Sequence, residues 1–173
     1  MRDYSFSQIG ARHWFSRSAE VDAGIRERFM ALYEQLAASD AADVTGARPL
    51  RAAVIVLDQF SRNMFRDSPR AFAADPLARR LARQIIEHGF DSGLAGEERL
   101  FVYLPFEHSE DRDDQALSCE LIGRLGNDDW TQYALAHKAI IDRFGRFPHR
   151  NAVLGRTSTA EEIARLAEPM GSF

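Results

Sequence analysis

Apolar residues recur along this chain at helical spacing almost throughout, and strand-like alternation is nearly absent. Val21, Ile25, Phe29, Leu32 and Leu36 follow one another at intervals of three and four, which places them on one face of a helix of several turns. Asp22 stands near its start as a good N-cap. Residues 39–48 are small, polar and contain glycine, so a loop is expected there. Pro49 suits a first helical position, and the run from it to Phe60 is apolar on nearly every side, as in a helix packed inside a bundle. Its length, its alanines and its initial proline favour helix over buried strand.

Ser68-Pro69 and Asp75-Pro76 read as two further helix starts, the second carrying Leu77, Leu81, Ile85 and His88 before Gly89 ends it. A helix from about Gly96 runs through Leu100, Phe101 and Leu104 until Pro105, which is expected to break or kink it. Asp113 is expected to cap the helix that holds Leu117, Leu121 and Leu125. Asp128 is expected to cap the one that holds Trp130, Tyr133, His137, Ile140 and Phe144, closed by Gly145. Overlapping capping boxes between Thr157 and Glu162 start a last helix that ends near Ala167, and Pro169 to Phe173 reads as a tail. Seven to nine helices with short connections predict an all-α fold with no sheet, built as stacked hairpins or a multi-helix bundle. Residues 1–173 read as one helical domain, with two similar halves of about 1–90 and 91–173 as its finer organisation.

The halves are suggested by a phrase used twice, Leu57-Asp58-Gln59-Phe60-Ser61-Arg62 and Ile141-Asp142-Arg143-Phe144-Gly145-Arg146. Each sets an aspartate one helical turn before an arginine at the end of an apolar run. Arg62 and Arg146 are expected just beyond helix ends, where a cation meets the negative pole of the dipole and can bond the last carbonyls. Asp58 and Asp142 can then accept from the same guanidinium.

Charge and cysteine content narrow the functional classes. A formal charge of -4 and a pI near 5.7 argue against a nucleic-acid partner or an anionic membrane surface, both of which call for a basic face. Lys138 is the only lysine, so 21 of the 22 basic residues are arginines, which pair with buried carboxylates better than lysine does. The lone Cys119 excludes an internal disulfide and a multi-thiolate zinc site. Residues Met1 to Ser5 lack the apolar stretch of a secretory signal, and the longest purely apolar run, Ala52 to Leu57, is far short of the ~20 residues of a membrane span. A soluble cytoplasmic protein is expected, with no particular oligomeric state implied.

Polar groups concentrate against aromatic ones in three segments, 57–72, 100–115 and 140–162. Within them LDQF-x-RN at 57–63, YLPFEHSED at 103–111 and RFGRFPHRN at 143–151 stand in that order. These blocks resemble the signature stretches of the bacterial family catalogued as domain of unknown function 924. With His13-Trp14-Phe15 and the helix from Asp22 to Phe29, the similarity spans most of the chain. It departs at Ser61, where the family tends to have proline, and in the loop from Asp43 to Arg48, which lacks an expected tryptophan. The resemblance implies an all-helical, tetratricopeptide-like arrangement and no assigned activity.

The residues themselves carry the functional expectations. Arg62, Asn63 and Arg66 with Asp58, and Arg146, His149 and Arg150 with Glu107, His108 and His137, form the candidate ligand-binding set. Partly buried charges need partners to offset desolvation, and an arginine left facing a cleft would make an anion site. His137 lies on an apolar helical stripe, where a satisfied core histidine is the bland reading. His108 between Glu107 and Glu110 suggests acid–base or metal chemistry, against which Ser109 or Asp111 as a helix cap is the structural reading. No HExxH is present, and His-x-Glu lacks the paired cysteines of a zinc deaminase. Ser61, Ser109 and Cys119 lack a nucleophile elbow, and no glycine-rich phosphate loop appears. No metal or cofactor is expected. A small anionic molecule or peptide bound in a pocket formed by the three segments is the leading reading. A helical scaffold for protein–protein interaction and a hydrolase or metal enzyme at the same pocket are the alternatives.

Overall fold

The computed structural model describes residues 18–168; His13-Trp14-Phe15 and the Pro169–Phe173 tail fall outside them. All regular elements among the described residues are helical, and no strand occurs. By contact they separate into two compact units, one comprising residues up to 66 with 70–92, the other 67–69 with the chain from 93 onward.

In the first unit, α1 (Ala19–Ala38) is followed by α2 (Ala47–Val54), a π-helical segment (Ile55–Phe60), α3 (Ser61–Met64), α4 (Arg70–Ala73) and α5 (Asp75–Glu87). The α1 stripe is buried at Ile25, Tyr33 and Leu36 and packs on α3 and the π-helical segment, where Phe29 meets Phe60 with ring centroids 4.7 Å apart. The N-cap of α1 is Ser18, whose hydroxyl accepts from the Val21 N–H at 3.3 Å, so the helix begins a turn before Asp22. Asp22 is thereby released from capping and spends its carboxylate elsewhere. Pro49 lies in the first turn of α2, two residues inside its start, where a missing N–H still costs nothing.

The apolar run does not stop at Phe60. Ile55, Val56, Leu57, Asp58 and Phe60 are buried together, and the turn widens so that the Ser61 N–H reaches the carbonyl of Val56, five residues back. The chain then continues as α3, so Arg62 sits inside the last turn instead of beyond the helix end.

In the second unit, α6 (Gly96–Glu107), α7 (Arg112–Gly123) and α8 (Asp128–Phe144) succeed one another through the short turns 108–111 and 124–127, with α7 packed on both neighbours. A 3-10 turn (Pro148–Arg150) and α9 (Ala160–Leu166) complete it. Pro105 neither breaks nor ends α6, which runs on to Glu107. Its missing N–H removes one bond, that to the carbonyl of Phe101, and the helix runs only two residues beyond it. Asp111, not Asp113, caps α7, its Oδ1 accepting from the N–H groups of Asp113 and Asp114 at 2.8 and 3.1 Å. Likewise Asn127, not Asp128, caps α8 by accepting from the Trp130 N–H at 3.0 Å. In both helices the expected caps fall in the first turn, where their charge still favours the dipole. Gly145 closes α8 at φ 69°, a left-handed conformation that glycine adopts without steric cost. The Thr159–Glu162 capping box opens α9 as the sequence predicts.

Asp22 shows what the shifted cap makes available. Its Oδ1 accepts from Asn63 Nδ2 at 2.7 Å and Arg66 Nη2 at 2.8 Å, and its Oδ2 from Arg66 Nε at 2.7 Å, joining α1 to α3 and the residues just after it. Burial pushes its pKa up, but the Arg66 and Asn63 bonds outweigh that and hold it below the ordinary 3.8. A lowered folded pKa means stability that is present above the unfolded value and lost as pH falls past it. Asp22→Asn is therefore expected to cost about 1–2 kcal/mol at neutral pH. In urea unfolding, the gap between variant and wild type should close below pH ~4.

Candidate functional site

The ten candidate ligand-binding residues divide between the two units. Asp58, Arg62, Asn63 and Arg66 belong to the first, whereas Glu107, His108, His137, Arg146, His149 and Arg150 belong to the second.

In the first unit the charges are answered locally. Arg62 donates to both oxygens of Asp75 at 2.8 and 3.0 Å, to Asp58 Oδ1 at 3.5 Å and to the carbonyl of Ala71. Ser61 Oγ lies 3.0 and 3.1 Å from the carbonyls of Asp58 and Ala71, and its one hydroxyl proton is shared between them at the same junction. Desolvation works against the charge on Arg62, but Asp58 and Asp75 overcome it and raise its pKa. Asn63 and Arg66 are committed to Asp22. The main partners, Asp22 and Asp75, were not among the candidates, because the sequence presents both as helix-start residues.

The repeated phrase does not repeat in space. Asp58 does meet Arg62, but Asp142 pairs with Lys138 at 2.5 Å, and its carbonyl accepts from Arg112 at 3.1 Å. Arg146 instead grips both oxygens of Glu162 at 2.6 and 2.9 Å and donates to the Thr157 carbonyl at 2.9 Å. Glycine explains the difference. Gly145 turns the chain at φ 69°, which carries Arg146 off the helical path that would return it to Asp142.

The segments 100–115 and 140–162 meet in the second unit. Glu110 links them: its Oε1 accepts from the Phe147 N–H at 2.8 Å, and its two oxygens hold Arg156 at 2.7 and 3.0 Å. Burial would raise the Glu110 pKa, but Arg156 and the Phe147 N–H lower it overall. Gln115, fully buried on α7, donates through Nε2 to the carbonyls of Glu107 at 2.6 Å and Ser109 at 2.7 Å, and so answers the end of α6 beyond Pro105.

These braces present one cluster. His137 on α8 places Nδ1 2.9 Å from its own helix carbonyl at Tyr133 and 3.4 Å from Glu107 Oε1. Its ring lies 6.4 Å from His108 and meets Phe147 edge-on at 5.6 Å. Against the same phenyl, the His149 ring stands 5.6 Å away and the Arg150 guanidinium lies over the ring at 4.5 Å. Phe147 is fully buried, and Glu107 and Arg150 are only 5% and 6% exposed. His108 and His149 are half-buried and form its accessible part.

Burial drives the pKa of His137 from 6.5 down to about 3, against the Tyr133 bond that raises it, with His108, Arg150 and His149 adding to the fall. The imidazole is therefore neutral at pH 7, with Nδ1–H directed to the Tyr133 carbonyl and Nε2 left as a proton acceptor. Burial pushes the Cys119 thiol up, away from a nucleophilic thiolate, and the negative charges of Glu107 and Asp142 add to the rise against Lys138. Among the described residues no group of three or more His, Cys, Asp and Glu is placed to hold a metal ion.

Two outcomes are expected from these geometries. His137 takes up no proton in the folded state until pH approaches 3, whereas the unfolded chain protonates near 6.5, so its contribution is complete above 6.5 and lost on descending toward 3. His137→Asn keeps a donor near the Nδ1 position without the titration, and its urea midpoint should vary less with pH across that window than the wild type. Arg146→Lys should lower the urea midpoint even though it conserves charge, because an ammonium cannot reproduce the bidentate grip on Glu162 together with the Thr157 bond. Glu162, held down to about 2 chiefly by the Arg146 hydrogen bond, loses its contribution only as pH falls from about 4.5 toward 2. The Arg146→Lys deficit should accordingly persist at pH 5.

Comparison with known proteins follows the same blocks. A family model described as bacterial protein of unknown function (DUF924) matches residues 3–170. The solved structure of a protein of unknown function from Agrobacterium tumefaciens is similar at 38% identity, covering 95% of this chain and 93% of that one, with a TM-score of 0.89. Among curated proteins none matches. The resemblance read from LDQF-x-RN, YLPFEHSED and RFGRFPHRN is thus borne out, and the chain belongs to the bacterial DUF924 family.

Proposed function

We propose that the second unit binds a small anionic ligand, or the acidic end of a peptide, at the cluster of His108, His137, His149 and Arg150 beside Glu107. The observation that supports this reading is the gathering of His137, His149 and the Arg150 guanidinium on one buried phenyl ring, with His108 from the end of α6 beside His137. Arg146 and Arg156 differ from them, since each is used bidentately on a single carboxylate and serves as a brace. Half-buried His108 and His149 offer hydrogen-bond donors to an incoming oxyanion, and Arg150 adds a permanent charge behind them. On this reading Asp58, Arg62, Asn63 and Arg66 hold the first unit together, and the pocket is formed by two of the three segments. The hairpin succession α6–α7–α8 supports a tetratricopeptide-like stacking, and the unpaired Cys119 is in keeping with a cytoplasmic setting.

A second reading, acid–base catalysis of a hydrolytic kind at the same place, is favoured by one contact. Glu107 Oε1 lies 3.4 Å from Nδ1 of the His137 imidazole, a carboxylate and a ring in contact beside the half-buried His108. The scaffold reading has weaker support, because among the described residues the exposed large apolar side chains, Tyr133, Leu135 and Ile163, are on two different helices.

A thermal-shift titration with inorganic phosphate and a series of mono-, di- and tricarboxylates tests the binding reading. At least one anion should raise the wild-type melting temperature progressively with concentration, since a ligand that binds the native state stabilises it. His149→Ala should fold with nearly the wild-type baseline and lose most of that rise, and Arg150→Lys should weaken it. A flat response to every anion, or the same rise in all three proteins, would overturn the assignment.

A further inference from the structure

A cleft of about 370 Å3 lies in the first unit, apart from the cluster proposed above, between the loop after α1 and the outer face of α5. One wall is the loop. The Ala41 N–H bonds the carbonyl of Leu36 at 2.9 Å and closes α1, with Asp40 in the left-handed conformation at φ 52°. One left-handed residue suffices for such a closure, and it is usually glycine. Here Ala41 follows at φ 51°, so two successive residues with side chains occupy a region that disfavours them. Backbone of this kind persists only where its surroundings over-determine it, and it concentrates at ligand clamps and active sites. Its effect is to turn the chain inward, burying the Ala41 methyl in the floor of the cleft with Leu50 and Leu81.

The opposite wall comes from α5 and the residues after it. Arg80, Gln84 and His88 are spaced by four and share a face. His88 is anchored through Nδ1 to the Gln84 carbonyl at 2.8 Å, and Phe90 stacks on it at 5.3 Å with an interplanar angle of 23°. The cleft thus has an aliphatic floor, a flat aromatic side and a guanidinium at its mouth. Arg80 donates to the Asp40 carbonyl at 2.7 Å and meets Asp40 Oδ2 at 2.8 Å. The Arg80 and Asp40 side chains are 46% and 70% exposed, and ion pairs so open to water contribute little.

We propose that this cleft binds a planar aromatic monocarboxylate. The ring lies on the Leu50–Leu81 floor beside Phe90 and His88, and the carboxylate replaces that of Asp40 on Arg80. The backbone bond from Arg80 to the Asp40 carbonyl survives the exchange and keeps the guanidinium aimed. Asp40 is then a built-in competitor: its carboxylate occupies the anion position when the cleft is empty and turns to water when it is filled. The volume falls within the ~300–1,000 Å3 range of small-molecule sites.

The test uses 1-naphthoate and its neutral isostere 1-naphthamide, titrated into the full chain and followed by amide NMR. Naphthoate should shift the signals of residues 40–46 and 84–90 saturably, and naphthamide should bind at least several-fold more weakly. Arg80→Gln should abolish the preference for the acid. Asp40→Asn, which retains a side chain tolerant of the left-handed backbone, should strengthen naphthoate binding several-fold and leave naphthamide unchanged. Absence of saturable shifts in the cleft, shifts confined to the His108–His149 cluster, or equal affinity for acid and amide that ignores both variants would overturn the proposal.

Discussion

Phe147 is completely buried, and its peptide group is constrained along with its ring. A hidden N–H or C=O without a partner costs on the order of 1–3 kcal/mol, and both are answered here. Glu110 takes the N–H at 2.8 Å, and the carbonyl accepts from the Arg150 N–H at 3.1 Å and from Arg156, held by the same carboxylate, at 3.3 Å. This clamp joins the turn after α6 to the turn after α8, and the rest of the second unit's polar architecture depends on it. With residue 147 fixed, the Pro148–Arg150 turn delivers His149 and Arg150 to the phenyl ring, and His137 meets that ring edge-on. Gln115 provides the complementary constraint by holding the carbonyls of Glu107 and Ser109, which sets where Glu107 stands relative to the imidazole.

The helical class could be read from the sequence because periodicity reports burial directly. Val21 to Leu36, Leu77 to Ile85 and Trp130 to Phe144 each form a helix as their spacing predicts, with Gly145 and the Thr159–Glu162 box as correctly placed ends. Cap positions were less legible, for a shared reason. Where two competent residues lie close together, as Asp111 with Asp113 or Asn127 with Asp128, propensity ranks them nearly equal and packing chooses between them. Ser18 shows the same ambiguity a full turn away. Pro105 was misread because its missing N–H forfeits a single bond, that to the carbonyl of Phe101, and packing carries the helix on to Glu107.

Pairing between charged groups was the least legible layer. Asp-x-x-x-Arg at 58–62 and 142–146 suggested one device used twice, yet a single glycine at 145 and a single aspartate at 75 give the two arginines different partners. Short-range spacing constrains a pair only while the backbone stays regular, and both arginines sit where it stops being so. The candidate site was legible in part for the opposite reason. Glu107 and His108 precede a turn, His149 and Arg150 lie within one, and each turn is pinned by buried bonds that the aromatic-rich blocks signalled without specifying.

The charge state of His137 ties this architecture to chemistry. A protonated imidazole at that position would sit beside Glu107 but also among His108, His149 and Arg150, and taking it out of water costs more than the one nearby carboxylate returns. Neutrality resolves the conflict. An oxyanion bound as proposed would favour the protonated form of His137 and so raise its pKa from the depressed value. On that proposal, a site that only binds and one that also moves protons can share this geometry. The difference between them lies in whether a ligand atom reaches Nε2 of His137.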